Sequence, residues 1–170
     1  AAIMAIVAVL GFSGSVDAAT SASASSQKAQ LALGMKYQAA DWNGWQTAYA
    51  FDAGRGVADA AEDTGESRAA YLASQAALVE GLVAFEDRTD LTGEQQALVA
   101  EARTAIDAFI AVDADVVAGY KSGTAEGKAA ADTLVITTEI ENYNNAAAAL
   151  GKLAEVTSAG AAADVTAAAD

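Results

Sequence analysis

The chain has 170 residues, enough for one domain with a sizeable core, and its composition excludes more than it includes. It has no proline, cysteine or histidine, and 54% of it is hydrophobic, much of that alanine. Disulfides, thiolate nucleophiles and His-based metal or acid–base chemistry are therefore absent, and an alanine-rich chain without proline reads as all-α with long helices. Net charge is −14, from 23 acidic and 9 basic residues. A phosphate backbone would be repelled, so nucleic acid is not expected as a partner, and no basic patch marks an anionic lipid surface. No motif assembles the carboxylates for acid–base work, so the chain reads as no enzyme and calls for no cofactor.

In chain order, residues 1–16 read AAIMAIVAVLGFSGSV, with no charge before Asp17 and no basic residue before Lys28. As a helix this run is about 24 Å long against a hydrocarbon core of about 30 Å. It reads as the trailing part of a transmembrane helix. The rival readings are a signal-peptide core with a loose cleavage site at Val16-Asp17-Ala18, and a plain buried helix. The first two put residues 17–170 outside the cytoplasm.

Ala18 to Gln30 is rich in Ala and Ser, and nothing in it breaks a helix. The first helix continues from Leu31 to about Phe51 and loosens at Gly54-Arg55-Gly56. It carries Asp41 to Asp52, DWNGWQTAYAFD, which holds both tryptophans. Trp42, Trp45 and Tyr49 fall at i, i+3 and i+7, on one helical face. Such a stripe is either a packed helix–helix seam or a ligand-contacting belt. As a belt, its rings would stack on a flat or cationic ligand. Asp41 and Asp52 would offset positive charge, and Asn43 and Gln46 would supply amide donors and acceptors. Gly44 within it would admit a neighbouring helix or leave room beside Trp45.

Asp59 to Gly65 reads as a loop, with Asp63 or Thr64 capping the next helix. That second helix spans about Glu66 to Asp87, with Tyr71, Gln75, Leu78, Leu82 and Phe85 at 3/4 spacing. Thr92 and Gln95 form a capping box for a third helix, about Gly93 to Tyr120, whose seam is Leu98, Ala102, Ala105, Phe109, Val112 and Val116. Gly123 is a left-handed stop and Thr124 the following cap. The fourth helix runs from Ala125 towards the C-terminus on an inner face of Ile136, Ile140, Tyr143, Ala147, Leu150 and Ala154, and its last ten residues are expected to fray. Short turns make these four helices an antiparallel up-down-up-down bundle, standing on the membrane segment.

MKYQAADWNGWQTAYAFDAGRG (35–56) and DTGESRAAYLASQAA (63–77) resemble the extracytoplasmic sensor domain of bacterial methyl-accepting chemotaxis proteins, in the four-helix-bundle type of actinobacterial receptors. The resemblance covers nearly the whole chain in architecture and is specific mainly at Asp41–Asp52 and Asp63–Ser74. It implies a homodimeric transmembrane receptor in the cell membrane that binds a small molecule and passes a small displacement of its fourth helix to a cytoplasmic kinase-control module. Receptors of this family that bind aspartate use first-helix arginines and a fourth-helix threonine. The matching level here, Asn43 to Gln46, has no arginine; Arg55 and Arg68 are the nearest basic residues, and Thr133, Thr137 and Thr138 are the threonine candidates. An amine, aromatic or neutral solute is therefore favoured over a dicarboxylate. The candidate ligand-binding set is Asp41, Trp42, Asn43, Trp45, Gln46, Tyr49, Arg55, Thr133 and Thr137. The other readings are the input domain of a sensor histidine kinase, or a secreted or anchored helical binding or structural protein without a signalling role.

Overall fold

The computed structural model describes the backbone of residues 2–169 and the side chains of residues 16–169. Among these residues the chain is helical, without strands. α1 spans Ala2–Gly54, α2 Glu66–Glu86 and α3 Gly93–Lys121; α4 (Ala125–Leu134) runs through a π turn, Val135–Glu139, into α5 (Ile140–Ala169). α4, the π turn and α5 form one continuous fourth rod, and the four rods pack into a helical bundle.

The local signals that set the helix ends act as expected at three of four positions. Thr92 accepts a hydrogen bond from the Gln95 N–H, and the Gln95 side chain accepts from the Thr92 N–H, satisfying two orphan donors of α3. Gly123 takes φ +67° and Thr124 caps α4 by accepting from Gly127 N–H. The cap of α2 is a correction. Gly65, not Asp63 or Thr64, occupies the N-cap, and no side chain bonds there. The last ten residues, expected to fray, stay helical to Ala169.

Each rod buries a stripe at 3/4 spacing. On α1 it is Ala32, Met35, Ala39, Trp42, Gln46 and Tyr49. α2 contributes Arg68, Tyr71, Ser74, Leu78, Leu82 and Phe85, so Ser74 rather than Gln75 points inward. On α3 the stripe passes through Val99, Ala102, Ile106, Phe109, Asp113 and Val116, one residue round from the expected Leu98 and Val112. Each fully buried Leu or Phe stabilises the core by about 1.5–3 kcal/mol; the alanines contribute less and let the rods approach closely.

The fourth rod departs most from expectation. Ile136 is 73% exposed and Ile140 also faces solvent, while Ala131, Glu139, Ala146, Leu150 and Leu153 are buried. For Ile136 the π turn explains the shift, because it inserts one extra residue and so moves the face upstream of it by one position. Its sequence favours the insertion there. Val135, Ile136, Thr137 and Thr138 are four consecutive β-branched residues, stiff at χ1 and weak helix formers. Thr133 and Thr137 also donate back to the carbonyls of Ala129 (2.8 Å) and Thr133 (2.6 Å), contacts that loosen a helix.

At the α2–α3 turn, Lys28 Nζ donates to the Asp90 carbonyl (3.0 Å) and pairs with its carboxylate (3.4 Å). Past this level α1 and α5 continue beside each other, with Ala22, Thr157 and Ala161 buried and Ser25 donating to Asp164. The apolar run 1–16, read above as the end of a membrane helix, lies outside the residues whose side chains are described, Val16 excepted. Among the described residues no helix is long and apolar enough to cross a membrane.

Candidate functional site

The bundle interior holds a cluster of polar side chains to which every rod contributes. Arg68 of α2 donates from Nη1 to both carboxylate oxygens of Asp113 on α3, at 2.8 and 2.7 Å. The Tyr49 hydroxyl of α1 donates to Asp113 Oδ1. The Arg68 guanidinium also lies over two rings, 4.9 Å from the Tyr49 centroid and 4.7 Å from that of Tyr71. At its outer edge Arg68 Nε reaches Asp63 at 3.6 Å. Asp113 thus meets its charge partner and a hydroxyl together, the condition under which a carboxylate is tolerated in an apolar core.

The second half of the cluster joins α1 to the fourth rod. Gln46 Nε2 donates to Glu139 Oε2, and both side chains are buried. Glu139 Oε1, Trp42 Nε1 and the Tyr71 hydroxyl have no hydrogen-bond partner among the described residues. Burial, and then the nearby Asp113 charge, push the Glu139 carboxyl up to about 8, against the opposing pull of Arg68 and the Gln46 hydrogen bond. Burial also raises the Tyr49 and Tyr71 phenols, with Asp113 adding to both. Trp42 completes the wall, its ring 4.2 Å from Phe109 and 5.9 Å from Tyr71 between centroids.

The structure divides the residues singled out from sequence. Trp42, Gln46 and Tyr49 come together in the interior. Trp45 does not join them: it is 37% exposed, because the buried face runs through 42, 46 and 49 rather than 42, 45 and 49. Asp41 accepts from Ser74 Oγ (2.7 Å) at the α1–α2 boundary, and Asn43 is half-buried. Arg55 is exposed and paired with Asp52 at 2.6 Å, and Thr133 and Thr137 are exposed with their hydroxyls on helix carbonyls. Gly44 has no neighbour within 4 Å of where a Cβ would sit, so no rod of this chain closes on it.

Asp113 and Glu139 carry no motif that singles them out in the sequence, and Arg68 has no interior role there. The available signal was a charged residue at seam spacing: Arg68 three before Tyr71, Asp113 four after Phe109, Glu139 four before Tyr143.

No protein-family model, curated protein or solved structure matches the chain.

Arg68, Asp113, Gln46 and Glu139 line neither of the two larger open clefts. A groove of about 770 Å³ between α3 and α5 is lined by Leu98, Glu101, Thr104, Asn142, Asn145 and Lys152 among alanines. A second, of about 550 Å³, sits where the 55–65 turn meets the α3–α4 turn, beside Lys121 and Lys128. Among the described residues no group of three His, Cys, Asp or Glu is placed to hold a metal ion.

Proposed function

We propose that this chain is the extracytoplasmic sensor bundle of a transmembrane chemoreceptor, homodimeric, running up-down-up-down and standing on a membrane helix that ends at residues 1–16. It takes a small-molecule stimulus, an amine, aromatic or neutral solute, and passes it on as a small displacement of the fourth rod. The observation that carries this reading is the Gln46–Glu139 contact inside a shared polar cluster. It ties α1 to the fourth rod, the two rods that continue past the Lys28–Asp90 level. A change at the cluster alters how these two rods sit against each other, and uninterrupted helices carry small axial shifts over their length. The stimulus must bind the two arrangements with different affinity to signal at all.

Trp45 and the exposed Leu33, Tyr37 and Phe51 support a partner copy on the outer side of α1, because large apolar side chains grouped on one helix favour burial.

These 170 residues hold no cysteine, so a single cysteine placed in them can be read against the unsubstituted gene product as control. In the full gene product expressed in its host, Ala111→Cys, exposed on α3 and away from the α1 face, should react in intact cells with a membrane-impermeant maleimide. Reaction only after permeabilisation would overturn the extracytoplasmic placement. Gly44→Cys should cross-link two copies; a chain that stays monomeric at this position removes the dimer.

A further inference from the structure

We propose that Glu139 and the π turn carrying it form a proton-operated register switch in the fourth rod, so that the proton is itself a stimulus the bundle reads. The switch stands on interior geometry; only its signalling consequence rests on the receptor reading above.

Glu139 is 1% exposed and has one carboxyl oxygen on Gln46 and the other without a partner. The groups that face it are Gln46 and Tyr49 from α1, Arg68 and Tyr71 from α2, and Asp113 and Tyr120 from α3. The single cation among them, Arg68, already holds both oxygens of Asp113 and reaches Asp63. Tyr120 donates to Asp132, whose other oxygen takes Lys128. The interior therefore holds two carboxyl groups and one guanidinium, and Glu139 is the carboxyl in excess. The neutral acid fits this site; the anion is left buried beside another carboxylate, which is costly. The carboxyl lies up at about 8, within reach of ordinary pH variation.

The π turn provides a way out. It is the point where an extra residue is accommodated, and an α-helix turns by about 100° per residue. If the bulge moves one step toward the C-terminus, the upstream face (131, 135) continues to Thr138 and Glu139 rotates toward solvent. Thr138, exposed in the present arrangement, then brings a neutral hydroxyl inward. Losing the proton thus breaks the Gln46–Glu139 tie between α1 and the fourth rod, and gaining it restores the tie.

The test is an NMR titration of the chain with 13C-labelled glutamate side chains, with Glu139 assigned by loss of its signal in Glu139→Gln. The switch requires a Glu139 midpoint well above the ordinary value of about 4.3. Backbone amides of 135–143 should move with the same midpoint, and Glu139→Gln should hold the low-pH amide pattern throughout. A Glu139 midpoint in the ordinary range overturns the proposal, and so does titration without amide movement at 135–143. Where Glu139→Gln does not fold, the wild-type titration decides alone, with the glutamate whose midpoint matches the 135–143 amides as its readout. Because this measurement is made on the isolated chain, a failed maleimide topology result beside a successful titration removes the receptor and leaves the switch. The reverse pair of results removes the switch and leaves the receptor.

Discussion

Arg68 and Asp113 meet through two hydrogen bonds of 2.8 and 2.7 Å from one nitrogen, and in doing so join α2 to α3 in the bundle interior. The other ion pair between these rods, Arg103 with Glu86 at 2.7 Å, is partly exposed and so adds little. The inner pair is different because removing one partner leaves the other charged and buried. Asp113→Ala should cost about 3–5 kcal/mol in urea unfolding, and more than Arg103→Ala. Replacing both, as Arg68→Met with Asp113→Leu, should recover most of that loss. A loss below about 1 kcal/mol for Asp113→Ala would show that the pair does not hold the bundle together.

The two tryptophans separate packing from contact with a stimulus. Trp42 is fully buried against Phe109 and Tyr71, so Trp42→Ala should cost about 3–5 kcal/mol through the cavity it leaves. Trp45 stands partly in solvent, and Trp45→Ala should stay within about 1 kcal/mol of wild type. A thermal-shift screen against amines, aromatic compounds and neutral solutes, run on wild type and Trp45→Ala together, then has a clear reading. A shift present in the first and lost in the second puts Trp45 in the site; equal shifts in both remove it.

What was legible in the sequence was what is decided locally. The Thr92–Gln95 capping box, the left-handed Gly123 and the Thr124 cap need only a few neighbouring residues, and each sits as read. The helical class follows from alanine and the lack of proline. Faces were harder, because an apolar residue flanks each buried polar one. Val112 lies beside Asp113, and Trp45 lies beside Gln46. A stripe drawn through hydrophobic residues alone is then one position off. Gln46 and Asp113 face inward because partners on other rods, Glu139, Arg68 and Tyr49, receive them there. The register of the fourth rod was least legible, since an inserted residue at 135–139 shows only when the flanking segments are packed.

The buried carboxyl also sets the pH dependence of stability. Its folded value is raised to about 8 from an ordinary glutamate value of about 4.3, so across that window the folded chain binds more protons than the unfolded one. Stability from this group is fully present below about pH 4.3 and is lost as pH rises through about 8, by up to about 1.4 kcal/mol per pH unit. Asp90 acts in the opposite sense. Hydrogen bonds from Arg88, with Lys28 nearby, hold its carboxyl down at about 2, so its contribution is present above its unfolded value and is lost as pH falls toward 2. Thermal unfolding midpoints measured from pH 3 to pH 9 should fall on the alkaline side. Glu139→Gln should flatten that alkaline limb and leave the acid one. An alkaline limb unchanged in Glu139→Gln would assign it to other groups.

Two glycines should respond in opposite directions to the same substitution. At Gly119 a Cβ would lie 2.7 Å from the Gly127 carbonyl oxygen and 2.9 Å from Ala131 Cβ, so the close approach of α3 to α4 depends on having no side chain there. The nearest obstacle is backbone, which yields less readily than a flexible side chain. Gly119→Ala should therefore cost about 1–3 kcal/mol, the range for overpacking a tight contact. Gly44 lies within α1 with nothing near its Cβ position, and Gly44→Ala should stabilise the chain by about 0.5–1 kcal/mol as a gain in helix propensity. That second sign holds for the single chain. If a partner copy closes on α1 at Gly44, the added methyl should weaken association even as it raises the stability of each copy. Sedimentation of Gly44→Ala beside its unfolding curve then separates the two effects. A copy that is both more stable and equally associated would move the partner surface away from Gly44, toward Leu33 and Tyr37.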